Sequence, residues 1–242
     1  LLSQAQDSSL THSTLQLRAT MSAIRHPCLI MGQCPSNFEG RNSWGAEINM
    51  QSYFHDTQKM AQEGNSARMV QWLPKKHWEI NSGGTDPEML RQVVSLVDDY
   101  LIFLVIDAEA GVFGGINSKP RSEIMSNIRV VIEKGTELFP LQDEEMSSDL
   151  RNMLATIKPG LSNALGQFGE GLRIVVFKGK DSQGKRFISA EGTGRFSVIL
   201  GDESFKWRLP LGSLLPPVID QETGESFPGN YLYNPFTGNA LK

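Results

Sequence analysis

The chain has 242 residues, of which 39% are hydrophobic and 21% are charged, a composition typical of a folded protein with an apolar core. Its formal net charge is −4, and its Lys and Arg residues are scattered among Asp and Glu. This argues against nucleic-acid binding, which needs a basic face that displaces counterions from phosphates. The longest apolar stretch, residues 101–106, is too short to span a bilayer.

Residues 1–47 are predicted to form an extended N-terminal arm, because the first part is rich in Gln, Ser and Thr. The chain begins with Leu, which a cleaved signal peptide or a truncated sequence would explain. In an oxidising compartment Cys28 and Cys34 could form a disulfide; otherwise they are two separate thiols. These features favour an exported protein of the periplasm or cell envelope, with the cytoplasm as the alternative location.

Residues 48–97 are predicted to be a helical segment. Apolar residues follow a helical spacing from Met50 to Ala61, and the spacing resumes up to Leu73 after a break at residues 63–66.

A second helix is predicted to begin after Asp86 and Pro87. The Asp side chain can cap the free amides of a first turn, and Pro fits the first helical position because it has no amide hydrogen. Apolar residues then recur on one face of this helix at Leu90, Val93, Val94 and Val97.

From Tyr100 the pattern changes from helix to strand. Residues 100–107 are a continuous apolar run with β-branched members, as expected of a strand that is buried on both faces. Three pairs of shorter apolar segments flank turn sequences and predict antiparallel hairpins: 128–133 with 136–141, 171–178 with 186–189, and 196–200 with 205–209.

One helix, over residues 148–158, interrupts these strands; Ser147 or Ser148 can cap it, and Pro159 with the following Gly ends it. Short strands at intervals of about ten residues indicate a sandwich or barrel. Residues 98–212 resemble an immunoglobulin-like β-sandwich domain with a helical insertion, although the Cys…Trp…Cys pattern of true immunoglobulin domains is absent. The predicted fold class is therefore α+β.

Residues 213–242 form a linker and a short tail. An Asp-x-x-Thr-Gly sequence begins at Asp220, and an Asn-x-x-Thr-Gly sequence begins fourteen residues later at Asn234. A zinc ribbon carries two knuckles of the form Cys-x-x-Cys-Gly, so residues 220–238 resemble a degenerate zinc ribbon. The residues at the four cysteine positions are Asp220, Thr223, Asn234 and Thr237.

The resemblance implies a tail without metal, because structural zinc needs thiolate or imidazole ligands that Thr and Asn do not supply. Zinc would also have contributed most of the folding free energy of so short a unit. Side-chain hydrogen bonds can hold the turns instead, and aromatic residues must pack on the body or on another chain. These aromatic residues are Phe227, Tyr231, Tyr233 and Phe236. An ordinary hairpin with two Thr-Gly turns is the alternative, and it too would be metal-free.

The sequence shows no recognisable catalytic group, metal site or cofactor motif, and the four histidines fall in no metal-binding or nucleophile-elbow pattern. Asp107 and Glu109 end the apolar strand, where carboxylates often act as bases or bind metals, although a single end of this kind is more often only a polar strand terminus. Together with Asp98 they are the first suspects for an alternative function, a small-molecule-binding or carbohydrate-binding enzyme.

Tryptophan residues are the other candidates for recognition. Trp44 lies in a polar, glycine-bounded segment, where aromatic residues commonly anchor a partner. Trp72 and Trp78 flank a Lys-Lys pair and could form a recognition surface, or could be core residues beside a turn.

The predicted function is a non-catalytic structural or assembly component of a multiprotein complex, active as an oligomer or in a larger assembly. Other protein subunits are the expected partners, bound through the sandwich and both terminal arms. Strand edges would allow β-augmentation by such a partner.

Overall fold

A computed structural model of the chain describes residues 48–80, 86–111, 115–133 and 135–241. Cys28, Cys34, Trp44 and the rest of the predicted arm lie outside these residues. The described residues fold into a mixture of helices and antiparallel sheets, so the α+β class is confirmed. Every helix among them is too short or too polar to cross a bilayer.

The described helices and strands are as follows. The helices are α1 (Met50–Thr57), α2 (Lys75–Ile80), α3 (Pro87–Val97), α4 (Arg121–Asn127) and α5 (Ser148–Ala164). The first strands are β1 (Gln58–Glu63), β2 (Ser66–Leu73), β3 (Tyr100–Ala110), β4 (Ile116–Ser118), β5 (Ile128–Ile132) and β6 (Thr136–Leu138). The later strands are β7 (Arg173–Lys178), β8 (Gly194–Leu200), β9 (Glu203–Leu209), β10 (Val218–Ile219) and β11 (Ser226–Phe227).

The larger sheet has β3 at its centre. One edge of β3 pairs with β2, which pairs in turn with β1, and the other edge pairs with β7 and β4. A second sheet has the order β6-β5-β8-β9, and all pairs in both sheets are antiparallel. Residues 101–108 of β3 are buried on both faces, which explains why the sequence of this strand does not alternate.

Two apolar clusters cover the two faces of the larger sheet. The first cluster draws on both sheets, and at its centre Phe103 of β3 contacts Trp207 of β9 with ring centroids 6.3 Å apart. In the second cluster, Leu104 and Ile106 of β3 meet Leu150 and Leu154 of α5. The larger sheet therefore lies between the smaller sheet and α5.

Several predicted elements are confirmed. The helix after Asp86 is α3, and Asp86 Oδ1 accepts hydrogen bonds from the amides of Glu88 and Met89. The central strand is β3, and two predicted hairpins are β5–β6 and β8–β9.

The helix predicted up to Leu73 is confirmed for Met50–Thr57, which is α1, and is wrong beyond it, because residues 58–73 form the β1–β2 hairpin. Gly64 and Asn65 make its turn, and Gly64 has a positive φ of 55° that favours glycine. Consecutive residues of β2 are buried in different clusters, Met69 in the second and Val70 in the first. A strand buried on both faces lacks strict alternation, and its apolar residues can also match a helical spacing. Residue 98 is the predicted boundary between the helical segment and the sandwich domain. Because β2 pairs with β3, strands from both sides of this boundary belong to one sheet.

Helix α5 does not end at Pro159 as predicted, but continues to Ala164. Proline removes one amide donor and disfavours a helix interior. Here the apolar face continues past it, and Ile157, Leu161 and Ala164 all pack against the second cluster. The packing of this apolar face therefore outweighs the tendency of Pro159 to end the helix.

The hairpin predicted for residues 171–178 and 186–189 is only partly present. Strand β7 forms, but its predicted partner is reduced to a single bridge between Lys180 and Arg186. One edge of β7 is occupied by β3, and on the other the amide of Leu141 donates to the carbonyl of Val176 at 2.8 Å.

Candidate functional site

The first turn of the tail is built around Asp220. Its Oδ1 accepts hydrogen bonds from the amides of Glu222 at 2.8 Å and Thr223 at 3.3 Å. Its carbonyl accepts from the amide of Gly224 at 2.8 Å. Thr223 Oγ1 accepts from the amide of Glu225 at 3.3 Å, which closes the turn. The carboxylate thus satisfies amides that the turn leaves without a backbone acceptor.

The second turn repeats this arrangement around Asn234. Asn234 Oδ1 accepts from the amides of Phe236 at 2.8 Å and Thr237 at 3.3 Å, and its carbonyl accepts from Gly238 at 2.8 Å. Thr237 Oγ1 accepts from the amide of Asn239 at 3.3 Å. Gly238 has a φ of 78°, close to the 73° of the glycine in the first turn. All four residues at the cysteine positions of the resemblance therefore lie in two matching turns.

A direct hydrogen bond joins the two turns. Asn234 Nδ2 donates to Asp220 Oδ2 at 2.5 Å, and the two residues are only 1% and 2% exposed. The hydrogen bond from Asn234, together with those from the amides of Glu222 and Thr223, lowers the pKa of Asp220 below its usual value. Asp220 is therefore an ionised acceptor near neutral pH, and an amide–carboxylate pair bridges the two turns.

The tail is fastened to the body at a close backbone approach. The amide of Gly229 donates to the carbonyl of Gly212 at 3.1 Å. A Cβ atom on Gly212 would lie 2.1 Å from Asn230 Oδ1, so only glycine fits there without movement. At the C-terminal end of the tail, the amide of Leu241 donates to the carbonyl of Leu232 at 2.9 Å.

The tail carries an exposed aromatic patch, which we define as Tyr231 and Phe236 lying against Phe227. Phe227 is 8% exposed and stacks with Tyr231 at a centroid separation of 6.1 Å; the Phe236 centroid is 6.4 Å away. Tyr231 is 40% exposed and Phe236 is 81% exposed. The tail also exposes Ile219, Leu232 and Tyr233.

This exposure is concentrated in the tail. Among the described residues, the large apolar side chains that are exposed outside the tail are Met89 and Phe139. An exposed apolar patch of this kind, on a surface whose other described apolar side chains are mostly covered, is typical of an interaction site.

The structure places two predicted docking tryptophans away from any such surface. Trp72 is 1% exposed and packs edge-on against Phe196 with centroids 5.0 Å apart. Trp78 is half-buried against the second apolar cluster. Both occupy the core positions that were the alternative interpretation.

The three suspect carboxylates do not come together. Asp98 precedes β3, whereas Asp107 and Glu109 lie near its other end. Asp107 Oδ2 is 3.5 Å from Arg68 Nε, and Glu109 Oε1 is 3.6 Å from Lys119 Nζ. Burial raises the pKa of Asp107, and the nearby cations offset only part of that effect.

Asp98 is the centre of an ion-pair cluster that the sequence pattern did not reveal. It pairs with Arg186, with Lys75 at 3.1 Å and with Lys180 at 2.5 Å. Burial alone would raise its pKa, but the hydrogen bonds from Lys180 and Lys75 and the charge of Arg186 outweigh it and lower the pKa to about 2. The partners lie up to 88 residues away in the chain, so no local pattern could signal the cluster.

A small cavity of about 150 Å³ lies beside this cluster, lined in part by Trp72, Lys75, Tyr100 and Arg186. Its Lys75 and Arg186 are already paired with Asp98, so the cations are held in place by protein carboxylates.

Within the described ranges, no group of three or more His, Cys, Asp and Glu side chains is arranged to hold a metal ion. The aromatic patch on its two-turn frame is therefore the best-defined candidate site in the described part of the chain. Comparison with protein families, with curated proteins and with solved structures finds no match to this chain.

Proposed function

We propose that the chain is a non-catalytic subunit of a multiprotein complex, and that it binds another protein chain through the aromatic patch of its tail. The observation that carries this proposal is the exposure of Phe236 and Tyr231 on a tail whose two turns are held by hydrogen bonds to Asp220 and Asn234. Large aromatic side chains supply much of the energy of protein interfaces when a partner covers them.

The two-turn frame favours tight docking because it fixes the patch before binding. The amide of Phe236 donates to Asn234 Oδ1, and Asn234 in turn is held by Asp220. A patch that is already ordered loses little conformational entropy when it binds. A partner would therefore gain most of the energy of covering the rings.

The rest of the protein is proposed to act as a rigid body that presents the tail. We propose that its two sheets form an immunoglobulin-like β-sandwich, which is supported by the apolar cluster that both sheets share. Strands β6 and β9 lie at the edges of the smaller sheet and offer backbone groups for β-augmentation. We further propose the cell envelope as the location, on the basis of the sequence alone.

The experiment is to purify the tagged full chain from its source and to measure particle mass by size-exclusion chromatography with light scattering. The wild type is expected in a particle much larger than the chain's own 26.8 kDa. The double variant Tyr231→Ser/Phe236→Ser is expected to be a monomer, because the patch is lost.

The matched control is Phe139→Ser, since Phe139 is 65% exposed but lies outside the tail. This variant should remain in the large particle. A monomeric wild type, or a double variant that stays in the particle, would overturn the proposal.

A further inference from the structure

We propose that the partner segment bound by the aromatic patch is basic, with Lys or Arg side chains beside its apolar residues. This inference rests on the proposed function and adds the chemistry of the partner. It starts from the charge of the tail: residues 213–242 contain the three carboxylates Asp220, Glu222 and Glu225 and a single cation, Lys242. The tail therefore carries −2 of the net −4 in 30 of the 242 residues.

The acidic groups belong to the same frame as the exposed rings. Glu222 Oε2 accepts from Asn239 Nδ2 at 2.7 Å, and Glu225 Oε2 lies 3.5 Å from Asn234 Nδ2. Asn234 also fixes the backbone of Phe236. Glu222 and Glu225 are exposed, so their charge is available to a partner.

Two physical effects then favour a cationic partner. The faces of Tyr and Phe rings attract Lys and Arg through the ring quadrupole, and this attraction grows as the interface excludes water. The carboxylates provide a negative potential that steers cations to the rings and repels acidic segments. An acidic or uncharged partner would leave Glu222 and Glu225 without a counter-charge at the edge of the interface.

The test uses a random-peptide library displayed on phage and selected against the immobilised full chain. We expect the enriched peptides to combine aromatic or aliphatic residues with an excess of Lys and Arg. Their binding should disappear with Tyr231→Ser/Phe236→Ser, and should weaken about tenfold with Glu222→Gln/Glu225→Gln. Gln keeps an acceptor oxygen for Asn239 and Thr223, so the turns should persist.

The control is Glu144→Gln/Glu170→Gln, which removes two exposed carboxylates outside the tail and should leave binding unchanged. Enriched peptides without excess basic residues would overturn the inference. If such peptides no longer bind the Tyr231→Ser/Phe236→Ser variant, the proposed docking by the aromatic patch is still supported. Peptides that bind the Tyr231→Ser/Phe236→Ser variant as tightly as the wild type would overturn both this inference and the proposed function. Self-association of the chain that the aromatic variant abolishes would identify a second copy as the occupant, and would also overturn the inference.

Discussion

At the scale of single residues, the bond between Asn234 and Asp220 determines whether the two turns of the tail stay together. Replacing Asn234 with Asp would remove the donor and place two carboxylates where the structure has a 2.5 Å hydrogen bond. We expect Asn234→Asp to destabilise the tail at neutral pH, because the Asp220 carboxylate loses its donor and gains a like charge. Hydrogen exchange of the Gly224 and Gly238 amides would measure this loss.

The stability of the tail should depend on pH with opposite signs in the wild type and in Asn234→Asp. In the wild type the pKa of Asp220 is lowered by Asn234 and the turn amides, so the stability of the tail is present above the ordinary Asp pKa and is lost as the pH falls. In Asn234→Asp, a proton shared by the two carboxyl groups should restore stability below about pH 4. Asn239→Asp is the control, since its partner Glu222 is exposed. Equal effects of both substitutions would contradict the role given to Asn234.

His77 provides a second residue-scale prediction, for the stability of the body. Its ring lies against Tyr53 and Phe54 with centroids 6.1 and 6.4 Å away, and burial lowers its pKa to about 4. An unfolded chain binds a proton at this histidine below its ordinary pKa of about 6.5, whereas the folded chain does not. Stability is therefore complete above about pH 6.5 and falls as the pH drops towards 4, by about 3 kcal/mol in total.

Urea denaturation between pH 4 and pH 7 would test the effect of His77. His77→Phe keeps an aromatic ring in the contact with Tyr53 but cannot take up a proton. Its stability should vary less with pH than that of the wild type. His55→Phe is the matched control, because His55 is exposed and lies in α1, the helix that carries Tyr53 and Phe54. The prediction fails if His77→Phe retains the full pH dependence of the wild type.

At the scale of elements, the two turns of the tail are held by the same pattern of side-chain hydrogen bonds. The backbone amides at the second and third positions after Asp220 and Asn234 point at the side-chain oxygen, as they would at a thiolate sulfur. The two side chains also meet directly. Positions arranged in this way are suited to tetrahedral ligation once they carry thiolates.

We therefore expect the fourfold variant Asp220→Cys/Thr223→Cys/Asn234→Cys/Thr237→Cys to bind one zinc ion per chain. Elemental analysis of the purified protein would measure the metal, and zinc should slow hydrogen exchange in the tail. A threefold variant that retains Asn234 is the control and should bind zinc more weakly. A fourfold variant without zinc would show that the turns do not face each other as ligand positions must.

A comparison of the predicted and observed elements shows where a local sequence pattern is enough to predict a helix or strand and where it is not. The run at 100–107 predicted β3 because a strand buried on both faces is continuously apolar. For β2 the same burial gives a spacing that also fits a helix, and Gly64 with Asn65, which indicates a helix break, is equally a hairpin turn. Pro159 predicts a helix end, because a local window does not show that its neighbours pack on the second apolar cluster.

At the scale of the whole molecule, side-chain exposure is what the sequence could not predict for the candidate site. The matching spacing after Asp220 and Asn234 placed both turns correctly, because turn chemistry is local. The sequence did not distinguish Trp72, which is buried, from Phe236, which is exposed. That difference depends on which strands meet across the core, as β2 and β8 do where Trp72 packs on Phe196.

The pairing of β2 with β3 has a consequence for how the body unfolds. Residues 66–73 pair with residues 102–109, and Trp72 of β2 packs on Phe196 of β8 in the smaller sheet. The segment before residue 98 is thus part of the same sheet and the same apolar cluster as the segment after it. We expect these strands to unfold together, since none of them can leave without exposing that cluster.

Native-state hydrogen exchange would show this directly. The slowest amides of β2 and β8 should exchange with the same free energy of opening, equal to that of global unfolding, and should respond to urea with the same slope. Amides of residues 218–241 should open at lower free energy, because this part of the tail contributes only Phe227 and Leu241 to the buried apolar residues. If β2 instead opens well before β8, residues 48–97 are a separate folding unit. The proposal of one rigid body behind the tail would then have to be abandoned.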